Sequence, residues 1–173
     1  MRKLLSFSAL LILAITMSGV SSQGHAQASA GSDKAAIEVV IKKYADGFIA
    51  KNVDMVMSCY APGKSLFVFD AVPPREYPSW DAYKKDWEAL FAAYPGPVEE
   101  KVSELSITVV GSVAYSHDIQ SGFFTRKDGS KVYATVRATD VWRKINGNWL
   151  IVQEHVSFPV DIDSGKADLM SKP

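Results

Sequence analysis

The feature that most constrains this chain is a change of hydrophobic period at Glu99. Before it, apolar residues recur every three or four positions. After it they alternate, and the alternation predicts strands at about 101–110, 114–125, 131–144 and 148–158. The breaks between those runs are Gly111-Ser112, Lys127-Asp128-Gly129-Ser130 and Asn146-Gly147, each of them hairpin chemistry. Long strands joined by such short turns must run antiparallel. Helices first and a meander afterwards define an α+β domain in which helices cover one face of a curved sheet.

The helical half divides into three. Ser32 or Asp33 is placed to cap a first helix, whose apolar stripe is Ile37, Val40, Ile41, Tyr44 and Phe48. A short second helix, from Asp54 to Tyr60, stops at Pro62-Gly63. Ser65 to Asp70 is rich in strand formers and runs into a proline loop at Pro73-Pro74, so a first strand ends at an aspartate. Ser79 then caps a third helix with Tyr83, Trp87, Leu90, Phe91 and Tyr94 on one face, an unusually aromatic stripe.

Residues 1–28 read differently from the rest. Met1-Arg2-Lys3 precedes a nearly unbroken apolar run from Leu4 to Ile15, and Ala26-Gln27-Ala28 closes it with small-x-small spacing. This is the pattern of a cleavable secretory signal, too short to cross a bilayer, and it predicts a periplasmic or secreted protein with no membrane attachment after cleavage. Residues 29–34 are then a small-residue leader, 35–161 the folded domain, and 162–173 a loose polar tail. Removing Arg2 and Lys3 from the 19 basic residues leaves 17 against 19 acidic ones, which argues against a nucleic-acid partner. The one cysteine, Cys59, lies in an apolar helical segment and reads as a buried, inert thiol.

Four stretches carry a family resemblance: Tyr-Ala-Asp-Gly-Phe-Ile-Ala-Lys-Asn at 44–52, Arg-Ala-Thr-Asp-Val-Trp-Arg-Lys at 137–144, the Asn-Gly-Asn-Trp turn, and His-Val-Ser-Phe-Pro-Val-Asp at 155–161. In that order they resemble the SnoaL-like branch of the nuclear transport factor 2-like superfamily. The resemblance implies a cystatin-like cone, a bent antiparallel sheet wrapped around three N-terminal helices, with a pocket at its wide end and frequent homodimers. It implies no single activity, because the superfamily holds isomerases, cyclases, dehydratases, ligand carriers and association domains.

Three positions match the ketosteroid isomerase group one at a time. Tyr44 falls where that group places its oxyanion donor, Asp70 where it places its general base, and Asp140, two residues before Trp142, where it places a protonated aspartic acid. The resemblance therefore implies cofactor-free enolisation of a small apolar, carbonyl-containing molecule.

The residues themselves leave alternatives open. Asp140 shares its strand face with Val136, Ala138 and Trp142, so it is either protonated in a pocket or paired with Arg137, Arg143 or Tyr44. Asp70 is either a base or the first residue of an Asx-type turn. His155, on the expected inner face with Trp149, Ile151 and Gln153, is an alternative base, as in SnoaL-like cyclases. His117 is a candidate ligand contact, and with His155 it lacks the spacing of a metal motif. Arg137 is placed to hold a substrate carboxylate. Trp80, Trp87 and Phe91 are candidate apolar walls. No phosphate loop, dinucleotide fingerprint or Cys-x-x-Cys is present, so no cofactor is expected.

Overall fold

The structure, a computed structural model, describes residues 21–170, with side chains from residue 30 onward. The export segment expected at 1–28 lies outside the described residues as far as residue 20. Among the described residues, no helix is long and apolar enough to cross a membrane.

Helix α1 spans Ser21–Ile49, α2 Val53–Met57 and α3 Trp80–Ala93. The strands are β1 Phe67–Phe69, β2 Val98–Val110, β3 Val113–Thr125, β4 Lys131–Ile145 and β5 Asn148–Ser157. They form one sheet in the order β1-β5-β4-β3-β2. The four long strands are antiparallel neighbours, as the turns require, whereas β1 lies parallel to β5 at the sheet's edge. Residues inside the sheet's curve face the helices and make the α+β core.

Three local devices shape this frame. Asn52 and Ser79 accept the backbone N–H of Met55 and Ala82, so α2 and α3 begin at side-chain caps. The first helix has no such start at Ser32 or Asp33, because the Ala-rich stretch before them continues the helix to Ser21. Asp33 instead receives Lys144 Nζ at 2.6 Å and Trp149 Nε1 at 3.1 Å, tying the helix to the β4–β5 hairpin. These two donors hold its carboxyl below the usual range.

Two irregularities bend the sheet. Strand β2 breaks register between Ser103 and Ser106, where Glu104 adopts φ +54°. Strand β5 carries one extra residue, Val152, since Val141 pairs with Gln153 while Trp142 pairs with Ile151. At Gly122 the β2 backbone comes so close that a Cβ would stand 1.8 Å from the carbonyl oxygen of Glu99.

The tail is not loose. Residues 161–170 double back, with Asp168 N bonded to Pro159 O and Thr135 N to Leu169 O, each at 2.8 Å. Past the end of β5, Leu169 thus takes a place beside β4 and reaches the wide end of the sheet.

Candidate functional site

The site follows from the sheet register. On the inner face one row crosses four strands, with Val68 opposite Glu154, Glu154 opposite Asp140, and Asp140 opposite Ser116. Asp70 follows Val68 by two residues and so leaves β1 on the same side. Asp118, two residues beyond Ser116, lies on that face as well. Helices α1 and α3 close over these groups with an edge-to-face aromatic lattice. The ring of Trp87 stands 5.9 Å from Tyr44 and 5.6 Å from Phe48, and Tyr83 stands 5.4 Å from Tyr60.

Between lattice and sheet lies a cavity of about 290 Å³, lined by Tyr44, Asp70, Tyr83, Trp87, Glu100 and Phe124 among others. A smaller chamber of about 10 Å³ is lined by Asp118, Asp140, Glu154 and Trp142, with Tyr44 and Gln120 shared between the two spaces. That is room for about one water molecule.

Asp70 is one of the acids that line the large cavity. Its Oδ2 accepts the Tyr83 hydroxyl at 3.1 Å, and its Oδ1 accepts Val72 N at 3.4 Å, so the turn reading and the site reading both hold for the same residue. Burial, only partly offset by these donors, raises its pKa. The same Tyr83 hydroxyl lies 2.9 Å from Glu154 Oε2, and Tyr60 donates to Glu154 Oε1 at 3.0 Å. A phenol has one hydrogen to donate. A proton on one of the two carboxyls therefore completes the Asp70–Tyr83–Glu154 chain, and Glu154 holds it at neutral pH because burial, aided by Asp70, pushes its pKa up to about 8.

Asp140 lies one layer deeper than the cavity, in the small chamber. It has no arginine partner. Its Oδ2 accepts the Ser116 hydroxyl at 3.2 Å, Ser116 Oγ in turn accepts Trp142 Nε1 at 2.8 Å, and its Oδ1 has no partner. Burial first, then Glu154 and Asp118, push its pKa well up, which favours its neutral form. Tyr44 reaches both spaces. Burial, reinforced by Glu100, Glu154, Asp70 and Asp140, raises its pKa far enough to keep it a proton donor.

The remaining expectations are corrected by the register. His155 does not face the cavity. The extra residue at Val152 reverses the inward parity of β5, so Trp149 and Ile151 point in before it and Glu154 and Val156 after it. His155 is exposed on the outer face, its ring 5.7 Å from Phe69. His117 and Arg137 lie on the outer face too, both exposed, because inward positions of β3 and β4 are the even-numbered ones. Thr139 separates the two histidines, pairing with each from opposite sides. Trp80 is spent on structure, its Nε1 donating to Met57 O at 2.8 Å. Phe91 backs Phe48 and Trp87 at 6.0 and 5.5 Å without lining the cavity. Of the three expected apolar walls, only Trp87 is one.

Glu154, Asp118 and Glu100 were not expected. Asp118 had a readable signal, since it shares strand parity with Ala114 and Phe124. Glu154 had none, because only cross-strand register reveals the bulge that turns it inward.

A sequence profile described as a SnoaL-like domain matches residues 37–161. No curated relative matches the chain in sequence. Among solved structures, a nuclear transport factor 2-like protein of unknown function from Pseudomonas putida KT2440 is similar with 23% identity and a TM-score of 0.75, covering 83% of this chain and 99% of that one. A nuclear transport factor 2-like superfamily protein from Salmonella enterica serovar Typhimurium LT2 is similar with 19% identity and a TM-score of 0.67, covering 79% and 99%. A protein of unknown function with a cystatin-like fold from Nostoc punctiforme is similar with 14% identity and a TM-score of 0.60, covering 72% and 90%. At these identities the likeness is one of fold.

Proposed function

Because the chain belongs to the SnoaL-like domain family, whose fold hosts many chemistries, we propose a function from the cavity itself: it binds a small, largely apolar molecule and moves a proton on it without a cofactor. The observation that carries this reading is Asp70, a carboxylate on the wall of an apolar cavity, held by Tyr83 and made more basic by burial. A base is most effective when its pKa is tuned toward the working pH.

The chemistry balances with residues of this chain alone. Asp70 takes a proton from the carbon beside a ligand carbonyl, the C–H electron pair becomes the enolate C=C bond, and the carbonyl π pair moves onto the oxygen. Tyr44 donates a hydrogen bond to that oxygen as its charge grows. Asp70 then returns the proton to the same or a conjugated carbon, which leaves exchange or isomerisation as the net result. Asp140, in the inner chamber, does not itself touch the ligand. A pure association module would need no cavity of this size.

A fused-ring phenol mimics the enolate and tests the reading. Calorimetric titration of the protein with 2-naphthol should show binding that Tyr44→Phe weakens about tenfold, the worth of one hydrogen bond to a charged group. Binding that Tyr44→Phe leaves untouched would reduce the site to a carrier pocket.

Two further proposals concern the protein's setting. Export is directed by residues 1–28, and mass spectrometry of protein recovered from a bacterial periplasm should find Ser29 at the mature N-terminus. The chain forms a homodimer through the outer sheet face, where Tyr115 and Tyr133 are each 50% exposed. Light scattering of Tyr115→Glu should then report a monomer.

A further inference from the structure

We infer that the ligand of the large cavity is a small apolar amine, bound as its cation. The inference rests on the binding half of the proposed function and not on its proton transfer. The cavity wall carries three carboxyl side chains, Asp70, Asp86 and Glu100, while Glu99, opposite Phe123, turns its own to the outer face, and among the described residues the wall carries no lysine, arginine or histidine. In a sequence with 19 basic and 19 acidic residues, that is a one-sided distribution. Asp70, Asp86 and Glu100 are all half-buried on that wall.

Two buried polar atoms on this wall lack partners. One is Glu100 Oε2, which asks for a donor; the other is Trp87 Nε1, on a side chain only 5% exposed, which asks for an acceptor. An ammonium group supplies the donor, and a neutral oxygen on the ligand body supplies the acceptor. Glu100 has room to meet a ligand because its cross-strand neighbour is Gly122, which has no side chain.

The rest of the wall also favours a cation. Apart from the outward-facing Tyr133, seven of the lining residues are aromatic, and ring faces attract an organic cation more strongly once it is desolvated. A ligand anion would meet only like charge and would find no guanidinium or ammonium to answer it. The empty site tolerates Glu100 by keeping it protonated at neutral pH. Burial first, then Asp118 from β3 and Glu154 from β5, pushes Glu100 up to about 8, and the Tyr44 phenol faces it from α1. An entering cation reverses that preference and binds with release of a proton.

The test uses three molecules of one skeleton: 2-phenylethylamine, 2-phenylethanol and 3-phenylpropionate. Isothermal titration calorimetry of the full chain should find the amine at least tenfold tighter than the alcohol, and no binding of the carboxylate. The amine's affinity should rise between about pH 6 and about pH 8.5 as the facing acids ionise, while the alcohol's stays level. Glu100→Gln, which keeps the side chain's shape, should cut the amine-to-alcohol preference at least threefold. An alcohol that binds as well as the amine, or a preference that Glu100→Gln does not alter, overturns the inference while leaving the cavity a binding site. Failure of all three molecules to bind overturns the inference and the proposed function together.

Discussion

Asp140 and Glu154 are directly paired neighbours across β4 and β5, both on the inner face and each at most 4% exposed. No basic side chain accompanies them among their hydrogen-bond partners, which are Ser116 for one and two tyrosines for the other. Two acids so placed cannot both ionise cheaply. Burial therefore raises the pKa of both, and at neutral pH Glu154 and Glu100 hold their protons.

Stability should consequently fall as pH rises. Glu154 and Glu100 are pushed from 4.5 to about 8, and Asp118 from 3.8 to about 6. Between the unfolded and folded values the native state binds more protons than the unfolded chain, so the stabilising contribution is complete below about pH 4 and is lost as pH climbs to about 8. Other things equal, thermal melts should give a Tm several degrees higher at about pH 5.5 than at about pH 8.5, at about 4 °C per kcal/mol for a domain of this size. A Tm that rises over the same interval would contradict these burials.

Glu154→Gln should remove much of that slope. The amide keeps the shape and both hydrogen-bonding atoms but cannot ionise. Melts of the variant should match or exceed wild type at about pH 8.5. Glu154→Leu, which strands the Tyr60 hydroxyl while Tyr83 keeps Asp70 as its acceptor, should cost about 1–3 kcal/mol by denaturant unfolding.

Tyr83→Phe separates the two halves of the Asp70–Tyr83–Glu154 chain. The Tyr83 hydroxyl lowers the pKa of Asp70, so its removal should raise that pKa further, which a carboxyl-carbon NMR titration reads directly. An unchanged or lower Asp70 pKa would show that the hydroxyl does not donate to it.

Gly122→Ala should be costly for a reason visible in the backbone. The new Cβ would meet the Glu99 carbonyl oxygen at 1.8 Å, inside any permissible contact, so β2 would have to move. About 1–3 kcal/mol of destabilisation is expected from such overpacking. A variant as stable as wild type would mean that β2 and β3 are less closely apposed than described.

What the sequence makes legible is the frame. The period change at Glu99 and the three turn signals locate all four long strands within about three residues, and Ser79 starts α3 where its hydroxyl allows. Asp70, Tyr44 and Asp140 all lie on the inner side. The single residue Val152 defeats the rest: one bulge exchanges His155 for Glu154, and periodicity within β5 alone holds no trace of it. Apolar rings are equally ambiguous, since the stripe of α3 reads the same whether a ring faces the cavity, as Trp87 does, or backs it, as Phe91 does.

His155→Ala, His117→Ala and Arg137→Ala should leave ligand binding within twofold of wild type, since all three side chains lie on the outer face. The same calorimetric titration with 2-naphthol checks it. A tenfold loss in any of them would mean that the outer face takes part in the site.

Proton transfer by Asp70 is tested most directly by hydrogen–deuterium exchange at the carbons beside the carbonyl of 2-tetralone, followed by NMR in deuterated buffer. Wild-type protein should accelerate exchange above buffer, and Asp70→Asn should lower that acceleration at least a hundredfold, the usual contribution of a general base. Exchange at the buffer rate with wild type, or an equal acceleration by Asp70→Asn, would contradict the account.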